Sequence, residues 1–480
     1  MEDVEIAEIK KKSIKGIVAL TSRTFLLQII AFGATFLLTI FLSPQVFGIF
    51  YVVSAIISFL GYFSDIGLAA ALIQKKEELT HDDLTTTFTI QQVLVGAVVI
   101  IAFIFSEQIA HFYSLEIAGL WLLRALIFSF FLSSLKTIPS VLLERRLEFN
   151  KLIIPQIMET LGFYVVAVLL AWKGFGIQAF TFGVIVQAIV GLVAMYIISP
   201  WRISFGYSGK VAHTLLRFGL PFQFNSFIAL LKDNLLIVFL GKILPFAQIG
   251  YIGWAKKWAE VPLRLIMDSV IRVTFPAFSR LQESKEQLTK AIEKTLFGMA
   301  FTIFPVSVAL LFFMRPLVAI VPKYTKWEPA LLSFYLLAFT SILASLSTPL
   351  TNALNAVGKI KITLALMVFW TALTWLFTIV FVHFFGFNGV ALALLVVASS
   401  LGLVVALAKK IAPFHFIASI KKPLVGIVFQ SLWYWVALTF LPHTTVLLVV
   451  MAGVGVILYG GILWYIDRDR INGLIGNIFK

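Results

Sequence analysis

The chain is a succession of fourteen apolar segments of helix length joined by short polar loops, the longest of which, around 199–212 and 279–292, are about fourteen residues. A run of about 20 apolar residues spans the roughly 30 Å hydrocarbon core as a helix. Only helices and closed barrels satisfy their backbone groups inside lipid. The segments fall near 16–42, 46–73, 84–106, 116–140, 152–172, 176–198, 213–241, 246–277, 292–321, 329–354, 361–383, 388–408, 423–441 and 444–466. Composition agrees: charged residues are 13% of the chain and mean hydropathy is +1.00, against about 25% charged in a soluble domain. The opening Met1-Glu2-Asp3 is acidic and no small-residue cleavage site follows the first apolar run, so no removable signal peptide is expected.

The segments repeat. Ser134-Leu135-Lys136-Thr137-Ile138-Pro139 returns as Ser345-Leu346-Ser347-Thr348-Pro349, and Gly174-Phe175-Gly176-Ile177 as Gly386-Phe387-Asn388-Gly389-Val390. Gly48-Ile49-Phe50 returns as Gly250-Tyr251-Ile252, each followed by an aspartate, Asp65 or Asp268. The echoes lie 202 to 213 residues apart. The expected architecture is all-α and polytopic: two six-helix repeats forming lobes at 1–210 and 211–412, then two further spans and a tail at 413–480. Duplicated halves that rock against each other can open a central site to either side of a membrane.

Basic residues orient the chain. Loops on the N-terminal side hold twenty-four, from Lys10 to Lys480, and the opposite loops hold five: Lys173, Lys242, Arg315, Lys323 and Lys326. The positive-inside rule then places both termini in the cytoplasm of a multi-pass protein of the cytoplasmic (inner) membrane. The net charge of +15 is this topology signal spread over short loops, so nucleic acid is not an expected partner.

Several chemistries are excluded or unsupported. There is no cysteine, hence no disulfide, thiol nucleophile or cysteine metal site. The six histidines sit at span ends without metal-ligand spacing, and no GxxxxGK[ST] loop occurs. No metal or cofactor is expected. No loop is large enough for a catalytic domain, so a membrane-embedded glycosyltransferase or ligase is disfavoured and no enzymatic activity is expected.

Charges inside the spans point to function, since each costs roughly 2.5–3.5 kcal/mol unless it meets a partner or water. Lys256, Glu260, Arg264, Asp268 and Arg272 recur every fourth residue in one span, with Lys257 beside the first. That spacing keeps them on one helix face over about 24 Å. Two readings stand: a self-neutralising ladder, or the wall of a hydrated cationic cavity. Arg23, Arg124, Lys136 and Lys232 add basic groups; Asp65, Glu159 and Asp233 add acidic ones. Lys136 and Asp65 lie near span ends, where snorkelling to the interface is at least as good an account. Eight basic groups against five acidic ones suit an anionic cargo such as a pyrophosphate-bearing or acidic-sugar molecule. The candidate cargo-binding residues are Arg23, Arg124, Lys232, Lys256, Lys257, Arg264, Arg272 and Trp254; Trp254 and Trp258 either stack on sugar or anchor at the interface. Asp65, Asp233, Glu260 and Asp268 are the candidates for ion coupling.

Local segments carry a family resemblance. They are Ser64-Asp65-Ile66-Gly67-Leu68-Ala69-Ala70-Ala71-Leu72-Ile73-Gln74, Leu143-Glu144-Arg145-Arg146-Leu147-Glu148-Phe149, Ser199-Pro200-Trp201-Arg202, Arg217-Phe218-Gly219-Leu220-Pro221, Asp233-Asn234-Leu235-Leu236-Ile237 and Phe275-Pro276-Ala277-Phe278-Ser279-Arg280-Leu281-Gln282. With the six-plus-six duplication, their order resembles the multidrug/oligosaccharidyl-lipid/polysaccharide exporter superfamily. Within it they resemble the bacterial polysaccharide transporters typified by colanic acid and teichuronic acid exporters, over about residues 15–410. Lys256 stands where that branch is expected to carry an aromatic residue. The resemblance implies a flippase that moves a lipid-linked oligosaccharide on a polyprenyl-phosphate carrier across the cytoplasmic membrane by alternating access. Its implied partners are that cargo, membrane lipid, a polysaccharide polymerase and glycosyltransferases. The rivals are a multidrug or ion antiporter of the same superfamily, for which the charge has the wrong sign, and a non-transporting scaffold of a polysaccharide assembly complex.

Because the chain has no cysteine of its own, single cysteines report topology. A cysteine at position 145 or 409 should resist a membrane-impermeant thiol reagent applied to intact cells; labelling from outside would contradict the fourteen-span arrangement.

Overall fold

A computed structural model describes residues 27–62, 66–230 and 234–468; within these the side chains of residues 218, 220–229 and 268 are not described. All regular secondary structure among the described residues is helical, without strands. In chain order the helices are α1 (Leu27–Phe41), α2 (Pro44–Tyr62), α3 (Leu68–Gln74), α4 (His81–Ile104), α5 (Ser106–Phe112), α6 (Ile117–Ser134), α7 (Thr137–Arg145), α8 (Phe149–Trp172), α9 (Gln178–Ile198), α10 (Gly209–Leu230), α11 (Leu236–Ile243) and α12 (Phe246–Ala259). They continue as α13 (Val261–Arg280), α14 (Lys285–Ile320), a 3-10 turn (Thr325–Ala330), α15 (Leu331–Ala356), α16 (Ile360–Phe385), α17 (Asn388–Ala398), α18 (Leu401–Lys409), α19 (Phe416–Phe440) and α20 (Thr445–Ile466).

Among the described residues, eleven helical segments are long and apolar enough to cross a membrane. The three remaining expected spans are the first, described as Leu27–Phe41, the seventh, shared between α10 and α11, and the eighth, shared between α12 and α13. The seventh and eighth hold the densest in-span charge, which is why apolarity alone does not pick them out. Lipid replaces water around such a bundle, so its outer faces stay apolar. On α4, Val93, Ile100, Ile101, Phe103 and Ile104 are all more than half exposed.

The chain forms two compact units, Met1–Gly250 and Tyr251–Lys480. In the first, α8 and α9 run antiparallel at close range. A side chain added at Gly183 would meet the Ala167 methyl at 3.3 Å, and one added at Gly191 would meet the Glu159 carboxylate. Without a hydrophobic drive between helices in lipid, small residues of this kind set the approach. At the end of α3, Arg145 donates to the carbonyls of Leu72, Lys75 and Glu77. Asp83 caps α4 reciprocally with Thr80 and pairs with Lys75 at 2.6 Å. In the second unit, α19 and α20 pack on α14. There the buried Gln430 amide donates to the Pro305 carbonyl at 3.0 Å, and Tyr434 donates to the Ala452 carbonyl at 3.0 Å.

The Gly48/Gly250 echo has a physical basis. Where α2 crosses the start of α12, a Cβ at Gly48 would lie 1.7 Å from the Phe246 carbonyl oxygen. One at Gly250 would lie 1.9 Å from that of Pro44. Pro44 and Phe246 are separated by the same 202 residues as the two glycines, so the contact is reciprocal. Alanine at an open helical glycine such as Gly96, with nothing within 4 Å, should be neutral or stabilise by up to about 1 kcal/mol. At Gly48 or Gly250 the sign should reverse, with a loss of about 1–3 kcal/mol. The double variant should lose less than the sum, because one separation relieves both clashes. Thermal unfolding in detergent reads all three; additive losses would contradict a shared crossing.

Candidate functional site

In the first unit, α1, α2, α6, α8 and α9 line a partly open cavity of about 550 Å³. Its walls present Gln28, Ser129, Ser133, Thr160, Tyr164 and Gln187, with Phe50 and Phe163 as apolar faces. At one wall Lys136 and Glu159 form an ion pair. Lys136 stands at the break between α6 and α7. Glu159 lies one turn beyond Pro155 in α8, its carboxylate seated where Gly191 of α9 has no side chain. The two side chains are 14% and 18% exposed, so the pair borders the cavity rather than being sealed away. Among their neighbours, Thr35 of α1 donates to the Tyr164 hydroxyl at 3.5 Å. The cavity is thus polar and charged inside an apolar bundle, an arrangement that costs free energy unless the groups pair or meet water.

The sequence-derived candidates distribute as follows. Arg124 is not among the cavity-lining residues; it pairs with Glu107 at 2.9 Å, donates to Ser106 and lies over the Phe103 and Trp121 rings. Arg23, Asp65, Lys232 and Asp233 lie outside the described residues. The row beginning at Lys256 is brought together in part. The span breaks at Glu260, since Pro262 lacks an N–H for the Trp258 carbonyl. Across that break the Glu260 carboxylate holds Arg264 at 2.6 Å and Lys256 at 3.9 Å. One glutamate therefore splints two helices and meets one cation from each, its single negative charge leaving one positive charge uncompensated. Arg264 is 54% exposed, and a charged group so exposed faces water or head groups rather than hydrocarbon. Lys257 is partly buried and Arg272 is exposed; the Asp268 side chain is outside the description.

Trp254 is buried. Its ring stacks on Trp327 at 5.5 Å and its indole N–H donates to the Tyr324 hydroxyl at 3.1 Å. In this conformation that face is taken by protein, which is the geometry of a core anchor. The Lys136–Glu159 pairing is the feature that sequence reasoning missed. The usable signal was one lysine and one glutamate in successive apolar spans, each needing a partner.

The model of a family described as "Polysaccharide biosynthesis protein" matches residues 37–331. The chain is 27% identical over 255 residues to the succinoglycan biosynthesis transport protein ExoT of Rhizobium meliloti, covering 52% of this chain and 50% of that one. It is 27% identical over 340 residues to the lipopolysaccharide biosynthesis protein WzxC of Escherichia coli, covering 68% and 66%. With the teichuronic acid biosynthesis protein TuaB of Bacillus subtilis it shares 24% over 302 residues, covering 62% and 61%. The alignments thus span between half and about two thirds of these relatives. The fold superposes on the lipid II flippase MurJ in its inward closed conformation with a TM-score of 0.75 at 17% identity, over 94% of this chain and 99% of that one. It also superposes on an inward-facing multidrug resistance MATE family transporter, with a TM-score of 0.58 at 17% identity over 82% and 98%. The architecture is therefore the polytopic all-α fold of those structures.

The Glu159 seat makes a local prediction. Alanine at Gly191 would put its Cβ 2.0 Å from Glu159 Oε1, displacing the carboxylate from Lys136 at an expected cost of about 2–3 kcal/mol. In a Glu159→Ala background the same change should cost nothing. Equal losses in both backgrounds, read by thermal unfolding, would contradict the seat.

Proposed function

The chain belongs to the polysaccharide biosynthesis protein family, and from that premise we propose that it flips a lipid-linked oligosaccharide across the cytoplasmic membrane for export of a cell-surface polysaccharide. The relatives are named for succinoglycan transport and for lipopolysaccharide and teichuronic acid biosynthesis, and the fold is shared with a lipid II flippase. The observation that carries the reading is the charge held within this transporter fold, predominantly basic and partly exposed, at Lys256, Lys257, Arg264 and Arg272. The cargo's phosphate or acidic sugars would meet that charge while its polyprenyl tail stayed in the bilayer. Arg23 and Lys232 would extend the basic surface, and Asp65, Asp233, Glu260 and Asp268 are where ion coupling would act. Glu260 has the further task of setting Lys256 and Arg264. Arg124 and Trp254, held by their own protein partners, would join the cargo only if those contacts opened.

The cycle needs no covalent step, so the reading assigns no enzyme activity. It places both termini in the cytoplasm and treats 1–210 and 211–412 as the two lobes of alternating access, with 413–480 appended. The fold is also that of multidrug transporters, but the mainly basic row at Lys256, Lys257, Arg264 and Arg272 would repel the cationic compounds such a transporter would carry.

The test uses cells whose polysaccharide export depends on this chain. Lys257→Ala should strongly reduce export, Lys257→Arg should retain part of it, and Lys257→Glu should be worse than alanine. Lipid-linked oligosaccharide should accumulate on the cytoplasmic leaflet in the same order, with protein levels unchanged. Normal export by Lys257→Glu would turn the argument toward the antiporter or the scaffold.

A further inference from the structure

The Lys136–Glu159 pair is not needed to build the fold. At the offset that aligns Ser134 with Ser345, Lys136 falls on Ser347 and Glu159 on Trp370. The second repeat builds its corresponding helices without either charge: α15 runs unbroken through Ser347, and the Trp370 indole N–H donates to the Ser400 hydroxyl at 2.8 Å. A buried ion pair is also weak support for stability, since apolar side chains of similar volume often serve as well or better. The first repeat has kept a costly pair at a place where its twin does without.

That pair borders a cavity with a ligand's dimensions. At about 550 Å³ it lies within the roughly 300–1,000 Å³ of small-molecule sites, enough for part of a sugar head group and too small for a whole lipid-linked repeat unit. The lining hydroxyls and amides of Ser129, Ser133, Gln28 and Gln187 are the groups that hydrogen-bond sugar hydroxyls. Glu159 neutralises Lys136 in this structure. An entering anion can take the lysine's place beside it while the glutamate turns to these donors, so no cation is ever left bare in the membrane. Phosphate and carboxylate both form charge-assisted hydrogen bonds with an ammonium.

We infer that this cavity is a subsite for an anionic group of the cargo, bound by Lys136 in exchange for Glu159. The inference rests on the flippase reading above and adds to it a position and a residue pair outside the α12–α13 row.

The decisive variant removes both charges, Lys136→Met with Glu159→Gln. It leaves neither ion unpaired, so thermal unfolding should match the wild type. Binding to protein in lipid nanodiscs is measured with two probes, a short-chain isoprenyl diphosphate and a glucuronate disaccharide, and export is measured in cells. The wild type should bind at least one probe, and the double variant should bind it at least about tenfold more weakly and fail to export. Lys136→Arg should recover part of both. Loss confined to the diphosphate assigns the anion to the carrier; loss confined to glucuronate assigns it to the sugar. A double variant that binds and exports like wild type would reduce the pair to packing and overturn the inference. A wild type that neither binds a probe nor supports export would overturn the flippase reading, and this subsite with it.

Discussion

An ion left without a partner in hydrocarbon is the state this molecule is organised to avoid. At roughly 2.5–3.5 kcal/mol per charge on insertion scales, a handful of bare charges would outweigh the stability of an ordinary domain. The ion pairs follow from that. Lys136 meets Glu159, Arg124 meets Glu107, and Glu260 takes both Lys256 and Arg264; beyond the span ends, Lys75 meets Asp83. The pairs differ in what they leave over. Asp83 is 2% exposed and fully engaged with Thr80 and Lys75, an end-of-helix lock. Glu260 holds two cations with one charge, so its neighbourhood keeps a positive remainder. That remainder is the property an anionic cargo can use.

The second constraint is how helices approach in a solvent as apolar as themselves. Backbone proximity, rather than hydrophobic burial, decides the contacts. Gly48 and Gly250 let α2 and α12 touch carbonyl to Cα, while Gly183 and Gly191 of α9 admit side chains of α8, Phe163 and Ala167 at the first and Glu159 at the second. At Gly191 the space is used differently: it receives a carboxylate. A packing device and a charge-positioning device thus share one geometry, and the Lys136–Glu159 pair depends on both.

Most of the fold was legible because the bilayer simplifies the code. Runs such as 84–106 and 176–198 are mostly apolar and carry no charged residue, and they became α4 and α9 with ends shifted by a few residues. The difficult segments were the functional ones. Polar and charged residues in 213–241 and 246–277 break the apolar pattern that marks a span, and Pro262 divides the latter into two helices. The repeat in the sequence foretold a crossing at Gly48 and Gly250 only in the sense that both glycines recur; that they meet each other is a fact of tertiary packing. Spacing by four found the Lys256–Glu260–Arg264 set because each is one turn from the next, and the contacts persist across the break between α12 and α13. It was blind to Lys136 and Glu159, which lie on different helices with no period linking them. Trp254, beside two lysines, stood open to two readings, a sugar platform or an interfacial anchor; its stacking partner Trp327 lies far along the chain, where no local pattern reaches.

The central claim is that this fold carries a lipid-linked head group through the membrane. Reconstitution tests it most directly. Purified chain is placed in vesicles containing a fluorescent polyprenyl-diphosphate oligosaccharide in both leaflets, and an impermeant quencher is added outside. The account predicts that protein makes the inner-leaflet pool accessible on the transport timescale, and that the change depends on Lys257. Vesicles whose inner pool stays protected, with folded protein present in the bilayer, would contradict it.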